Sequence, residues 1–196
     1  MGTLLSGATG SEGQVARSAE LTKPTNAIGA AFAMVIAGLA ASGSAQHALD
    51  GLHGIYFHQG GEACDIQIRE AVEEVVSEMG RLQRGIARHK LLDKNHTYES
   101  FQILIDGDSL TMRVNHRDYE LELGAAPVEA TGIEGGTVLT QATVRGRTLI
   151  QTFRTSQGLR RHRVHFGTDG TAFLEVSIES ERLPKPVHYR LPYAHH

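Results

Sequence analysis

The chain has no tryptophan and one cysteine, Cys64, in 196 residues. A single cysteine excludes an intramolecular disulfide and any zinc knuckle built on thiolates. Aromatic residues make up 6%, too few for a surface that stacks bases or sugar rings. Charge of neither sign dominates: 19 Lys+Arg face 22 Asp+Glu, for a net charge of −3. That balance offers no global basic surface for nucleic acid. The known catalytic signatures are missing too. The glycine pairs Gly60-Gly61 and Gly135-Gly136 lack phosphate-loop spacing, no nucleophile elbow occurs, and no His-Glu-x-x-His pair marks a metalloprotease. No catalytic residue, metal or cofactor is therefore assigned. What is present is ordinary for a globular chain: 40% hydrophobic and 21% charged residues, too apolar for disorder.

One long uncharged run stands out. Ala27 to Ala41 reads AIGAAFAMVIAGLAA, with Lys23 before it and the small residues Gly43, Ser44 and Ala45 after it. A basic residue, a short apolar run and a small-x-small site describe a secretory signal peptide cleaved after Ala45. The expectation is a periplasmic or secreted protein, with residues 1–45 as signal and extension and residues 46–196 as one domain. The run is shorter than the roughly 20 residues of a spanning helix. Extended to Ala45 it stays uncharged, so an uncleaved anchor is the alternative. No cysteine directly follows it, which excludes a lipoprotein anchor.

After Ala45 the hydrophobic period changes twice. Leu52 to Phe57 is a short strand. Ile68, Val72, Val75, Met79, Leu82 and Ile86 then recur at helical spacing, predicting one long helix over about residues 65–92. Asp65 is its expected N-cap. Gly80 and Gly85 weaken the pattern and mark places for a break. From Tyr98 the period is two. Asp106-Gly107 and Arg145-Gly146 read as two-residue hairpin turns, and Asn115 to Asp118 as a four-residue one. That register sets Ile103 opposite Leu110, and Met112 opposite Leu121. Gly124 to Gly136 reads as a loop. A third hairpin turns at Thr168-Asp169-Gly170 and pairs Val164 with Leu174, His162 with Val176, and Arg163 with Glu175. Val187 to Tyr193 alternates as a last strand. Eight or nine antiparallel strands predict a mainly β fold: an up-and-down β-barrel, or a strongly curved open sheet, with one helix before the main run.

On that register Arg160 and His162 share the inward face of Val164 and Phe166. A guanidinium and an imidazole inside a barrel are suited to a ligand carboxylate or phosphate. The expected apolar wall is Phe101, Ile103, Met112, Leu121, Leu174 and Val176. The mixed faces of the preceding hairpin, with Thr140, Gln141, Gln151 and Thr152 among Leu139, Leu149 and Ile150, add to a partly polar interior. The eleven histidines lie at 47, 53, 58, 89, 96, 116, 162, 165, 188, 195 and 196, scattered and not clustered. A haem-binding barrel through a strand histidine is a weaker alternative. Cys64 lies beside a helix start, a position that can lower a thiol pKa, but it reads as a plain, partly buried thiol. Asn95-His96-Thr97 matches a glycosylation sequon.

The order of these features carries a resemblance. Leu52-His53-Gly54-Ile55-Tyr56-Phe57, a charged helix, a meander, and Leu183-Pro184-x-Pro186-Val187-x-Tyr189 before Tyr193 resemble a group of uncharacterised secreted bacterial proteins with a lipocalin-like meander. That group has Gly-x-Trp in its first strand, where this chain has Gly54-Ile55-Tyr56. The resemblance implies a lipocalin-like fold and export, and no site residues. Taken together, the sequence predicts an exported domain that binds a small amphipathic or anionic ligand in a barrel cavity. An envelope protein-protein interaction module, docking through the helix stripe or an edge strand, is the alternative.

Overall fold

The structure, a computed structural model, describes residues 52–114, 116–133 and 135–195. The expected signal segment, residues 1–45, lies outside the described residues. Ten strands follow in order: β1 (Gly54–His58), β2 (Ser100–Asp106), β3 (Ser109–Val114), β4 (Arg117–Glu122), β5 (Val128–Thr131), β6 (Thr137–Arg145), β7 (Thr148–Thr155), β8 (Gly158–Phe166), β9 (Thr171–Glu179) and β10 (Val187–His195). Two helices, α1 (Glu62–Val76) and α2 (Arg81–Lys94), stand between β1 and β2. Among the described residues all strands belong to one sheet, ordered β4-β3-β2-β1-β10-β9-β8-β7-β6-β5. Chain neighbours pair antiparallel except β4 and β5, and β1 closes on β10 through Phe57 and Ala194. The fold is mainly β, an up-and-down barrel that is nearly closed. The gap lies between β4 and β5; among the described residues it is crossed by a parallel bridge from Leu123, just after β4, to Ala142 of β6, where the Gly124 N–H donates to Ala142 O at 2.8 Å, and by Arg117 Nε donating to Ile133 O at 3.1 Å.

Alternation puts one face of every long strand inside. β7 buries Leu149, Gln151 and Phe153; β9 buries Ala172, Leu174 and Val176; β10 buries Val187, Tyr189, Leu191 and Tyr193. The body of the barrel is filled with aromatic rings. Tyr56 stacks on Phe101 at 5.1 Å between centroids, and Phe101 meets Tyr193 at 4.7 Å. Offset and tilted pairs at these distances add to the burial of their large apolar surface.

Three expectations are corrected. First, there are ten strands: Val128–Thr131, within the stretch read as loop, pairs with β6 as a four-residue edge strand too short to show alternation. Second, the helix is two helices. Ser77 to Gly80 interrupts it, and Gly80 is the N-cap of α2. The break resets the helical phase. Ile68, Val72 and Val75 are buried on α1, whereas Leu82 is 88% and Ile86 62% exposed. Arg84 bridges the break, donating to Ser77 O at 2.7 Å and Met79 O at 3.1 Å, carbonyls that have no partner inside a helix. Asp65 is not the cap. Gly61 is, with φ +52, a conformation that favours glycine. Third, several registers slip by two. Asp106 pairs with Ser109, Ile103 with Met112, Met112 with Tyr119 and Arg145 with Thr148. A two-residue slip keeps each side chain on its face, so the inside of the barrel is unaltered. The third hairpin has the expected register, Val164 opposite Leu174 and Arg163 opposite Glu175, around Gly170 at φ +80.

No helix of the described residues is long and apolar enough to cross a membrane.

Candidate functional site

The inward faces of β6 to β9 form layers at right angles to the strands. Nearest the helices, Phe153 of β7, Arg160 of β8 and Ile178 of β9 are cross-strand neighbours. One step deeper stand Ala142, Gln151, His162 and Val176. A further step reaches Leu149, Val164 and Leu174. The polar residues therefore occupy the two layers nearest α2, and the layer beneath them is apolar.

An open groove of about 860 Å³ lies against the first layer. One wall is α2, through Ile86, Ala87 and Leu91. The opposite wall comes from Ile133, Val138, Leu159 and Leu183, and Phe153 and Arg160 form its inner end. Lys90, Lys94 and Arg182 stand with Glu179 and Glu181 among its charged lining. A volume in this range suits one small molecule.

Arg160 is held by four hydrogen bonds. Its Nε donates to His162 Nε2 at 2.9 Å, Nη1 to Lys94 O at 3.1 Å, and Nη2 to the hydroxyls of Tyr98 at 2.7 Å and Tyr189 at 3.2 Å. Lys94 is the last residue of α2, so the guanidinium satisfies a carbonyl at the negative end of that helix. Tyr189 OH donates in turn to Asn95 Oδ1 at 3.0 Å, and Asn95 Nδ2 donates to Leu91 O at 2.7 Å. Asn95 is buried with both amide atoms engaged, so the sequon offers no acceptor for a glycan in the folded chain. Tyr193 OH donates to Tyr98 O at 3.0 Å, which fixes the segment entering β2. Tyr193 is buried among other phenols, and that burial pushes its pKa up.

His162 is fully buried. Burial, with the positive charge of Arg160 beside it, holds its pKa well below the ordinary histidine value. The imidazole is neutral. Because an arginine N–H can only donate, Nε2 is the acceptor and the ring proton sits on Nδ1.

The structure brings Arg160 and His162 together. It places Phe101, Ile103, Met112, Leu121, Leu174 and Val176 in the buried core and not along the groove, whose apolar walls come instead from α2 and the loops at that end. Sequence reasoning missed Tyr98, Tyr189 and Asn95. Tyr189 was marked by its alternation with Val187 and Leu191. Tyr98 reads only as the start of the alternation, and Asn95, ahead of it, only as part of a sequon.

The remaining candidates lie elsewhere. Cys64 is buried in the first turn of α1, and its thiol is pushed up, by burial first and then by the Asp65 carboxylate. Among the described residues no group of three or more His, Cys, Asp or Glu side chains is placed to hold a metal ion. Outside the barrel, Glu175 accepts from Arg163 Nη1 at 2.6 Å.

The described residues thus have a lipocalin-like fold, a ten-stranded up-and-down barrel with a helix pair and a groove beside α2. No family model matches the chain, and no curated protein matches it in sequence. Solved structures similar to it include a fatty acid-binding protein from brain tissue of Drosophila melanogaster, at 15% identity and TM-score 0.46, covering 71% of this chain and 95% of that one. A zebrafish ileal bile acid-binding protein complexed with cholic acid is 11% identical with TM-score 0.45, covering 74% and 99%. A Schistosoma mansoni fatty acid binding protein in complex with arachidonic acid is 13% identical with TM-score 0.46, covering 76% and 98%.

Proposed function

We propose that the protein binds a small amphipathic ligand with an acidic group, its apolar part in the groove beside α2 and its acid toward Arg160. The observation that carries this reading is the guanidinium of Arg160 at the inner end of a groove walled by Ile86, Leu91, Ile133 and Leu183. Four hydrogen bonds hold that guanidinium in place, so little side-chain entropy is lost on binding. Charge-assisted hydrogen bonds to a carboxylate contribute about 1.5–3 kcal/mol, a ten- to hundredfold effect on affinity. Displacement of an environment-sensitive fluorescent probe by dodecanoate and by dodecanol tests it. Dodecanoate is expected to bind at least tenfold tighter, Arg160→Met to remove that advantage, and dodecanol affinity to change less than about twofold. Failure of both molecules to bind, or an unchanged dodecanoate affinity in Arg160→Met, overturns the proposal.

In the same reading the protein is exported to the periplasm or beyond as one of the secreted bacterial meander proteins it resembles, with residues 1–45 removed. The uncharged run Ala27 to Ala41 and the small residues Gly43 and Ala45 support this. Terminal sequencing of protein from an envelope fraction is expected to find Gln46 first; an intact Met1 in cytosol overturns it.

A second reading rests on α2. It buries no residue fully, and Leu82 is 88% exposed on its surface. An envelope protein docking on this helix is its prediction. A partner captured by wild type and lost with Leu82→Glu supports it; capture unaffected by that change ends it.

A further inference from the structure

Two polar side chains in the second layer have unmet hydrogen-bonding capacity. His162 is 0% and Gln151 1% exposed. His162 Nδ1, which carries the ring proton, has no partner among the described residues, and neither has Gln151 Oε1. The two residues are directly paired across β7 and β8. Their side chains therefore leave the sheet side by side, with Cβ atoms about 5 Å apart. Gln151 Nε2 donates to Thr140 Oγ1 at 3.4 Å, which turns the amide oxygen away from β6.

One atom is an orphan donor and the other an orphan acceptor. Each costs about 1–3 kcal/mol when buried unmet. A carboxylate meets only the donor and an ammonium only the acceptor. A hydroxyl meets both, accepting from Nδ1–H and donating to Oε1. The pair is next to the groove. Phe153 follows Gln151 on the same face of β7, lines the groove, and has its ring centroid 5.1 Å from that of His162. The pair is also tied to Arg160, whose Nε–H is held by the other nitrogen of the same imidazole.

We propose that Gln151 and His162 form a second polar anchor, one layer below the groove's inner end, that takes a ligand hydroxyl, so that the ligand is a hydroxylated carboxylic acid. The proposal rests on the acid-binding reading and names its ligand class. One strand step of two residues is about 6.6 Å. The carboxylate at Arg160 and the hydroxyl at this anchor are accordingly several bonds apart, and the hydroxyl enters past the Phe153 ring.

The test uses the full chain, with dodecanoic acid and monohydroxy dodecanoic acids whose hydroxyl moves from next to the carboxylate toward the chain middle. At least one isomer with an intervening spacer is expected to bind about tenfold tighter than dodecanoic acid. In Gln151→Met that preference falls to near one, while dodecanoic acid itself binds within about twofold of wild type. A second readout needs no variant: that isomer, and not dodecanoic acid, is expected to shift the NMR resonance of His162 Nδ1. Equal binding of all isomers, with dodecanoic acid bound through Arg160, overturns the anchor and leaves the acid site standing. That result also assigns the orphan pair to water alone. A hydroxyl preference that survives Gln151→Met overturns it as well. No binding of any acid overturns both readings.

Discussion

Acidification from pH 7.5 to pH 5 should destabilise the protein through His162. The folded imidazole stays neutral, because burial and then Arg160 depress its pKa well below 6.5. The unfolded chain has no such constraint and takes up a proton near pH 6.5. A depressed histidine therefore contributes stability that is complete above the unfolded value and is lost as pH falls beneath it. Each unit below 6.5 removes up to about 1.4 kcal/mol, so the loss by pH 5 is about 2 kcal/mol. The paired carboxylates act lower. Arg113 holds Asp118 below 3.8, the ordinary carboxylate value it starts from. Arg88 likewise holds Glu73 below 4.5. Their contributions decline only as pH drops through that range, so the window between pH 6.5 and 5 isolates His162 from them. Urea unfolding of wild type and of His162→Gln, whose amide oxygen replaces Nε2 as the acceptor for Arg160, measures the effect. Wild type should lose about 2 kcal/mol more than the variant over this interval. An equal loss in both proteins refutes the argument.

Two further substitutions probe the frame. Ile103→Ala, at a side chain with no exposure, is expected to cost about 2–5 kcal/mol in urea unfolding, whereas Leu82→Ala, at 88% exposure on α2, should change stability by less than about 0.5 kcal/mol; similar costs at both would contradict the break between the helices. At Gly158 an added methyl would overlap the Glu179 carbonyl oxygen across β8 and β9, so Gly158→Ala should cost more than about 2 kcal/mol and widen the groove rim, read as lost thermal stability and weakened dodecanoate binding.

The parts of the fold legible in the sequence were those set by parity. Alternation tells which side chains share a face, and a slip by two residues preserves that information. Phe101, Ile103, Leu110 and Met112 were accordingly assigned to the inside although their partners were displaced. Register needs a second constraint. The third hairpin had one in Arg163 opposite Glu175, where a slip would separate opposite charges. The hairpins at Asp106-Gly107 and Arg145-Gly146 had no oppositely charged cross-strand pair. The helix failed for a related reason. Its stripe ran past Gly80 at unbroken spacing, and only the chain's turn at Ser77 to Gly80 decides that Leu82 leaves the stripe. Arg160 and His162 were visible because polar residues on an inward face contradict the pattern around them. Tyr98 bonds Arg160, and Asn95 bonds Tyr189 beside it, from the stretch joining α2 to β2, where no established alternation exists to contradict.

That contradiction also bears on why the polar layers exist. The third layer, Leu149, Val164 and Leu174, closes the barrel with apolar side chains at the same depth in the sheet. A similar residue at Gln151 would pack without leaving an acceptor unmet, and such replacements of buried polar groups are often neutral or stabilising, whereas His162 supplies the acceptor for Arg160 Nε–H. Stability alone therefore does not account for Gln151. Arg160 differs, since its bond to Lys94 O ties α2 to the barrel and gives it a structural role of its own. A barrel whose lower body is filled by Tyr56, Phe101 and Tyr193, and which leaves Gln151 Oε1 and His162 Nδ1 unmet behind the Phe153 ring, departs from good packing beside its groove. The two kinds of polar residue thus separate under mutation: Arg160→Met should weaken both the fold and acid binding, whereas Gln151→Met should leave the fold as stable or more so and change only what is bound.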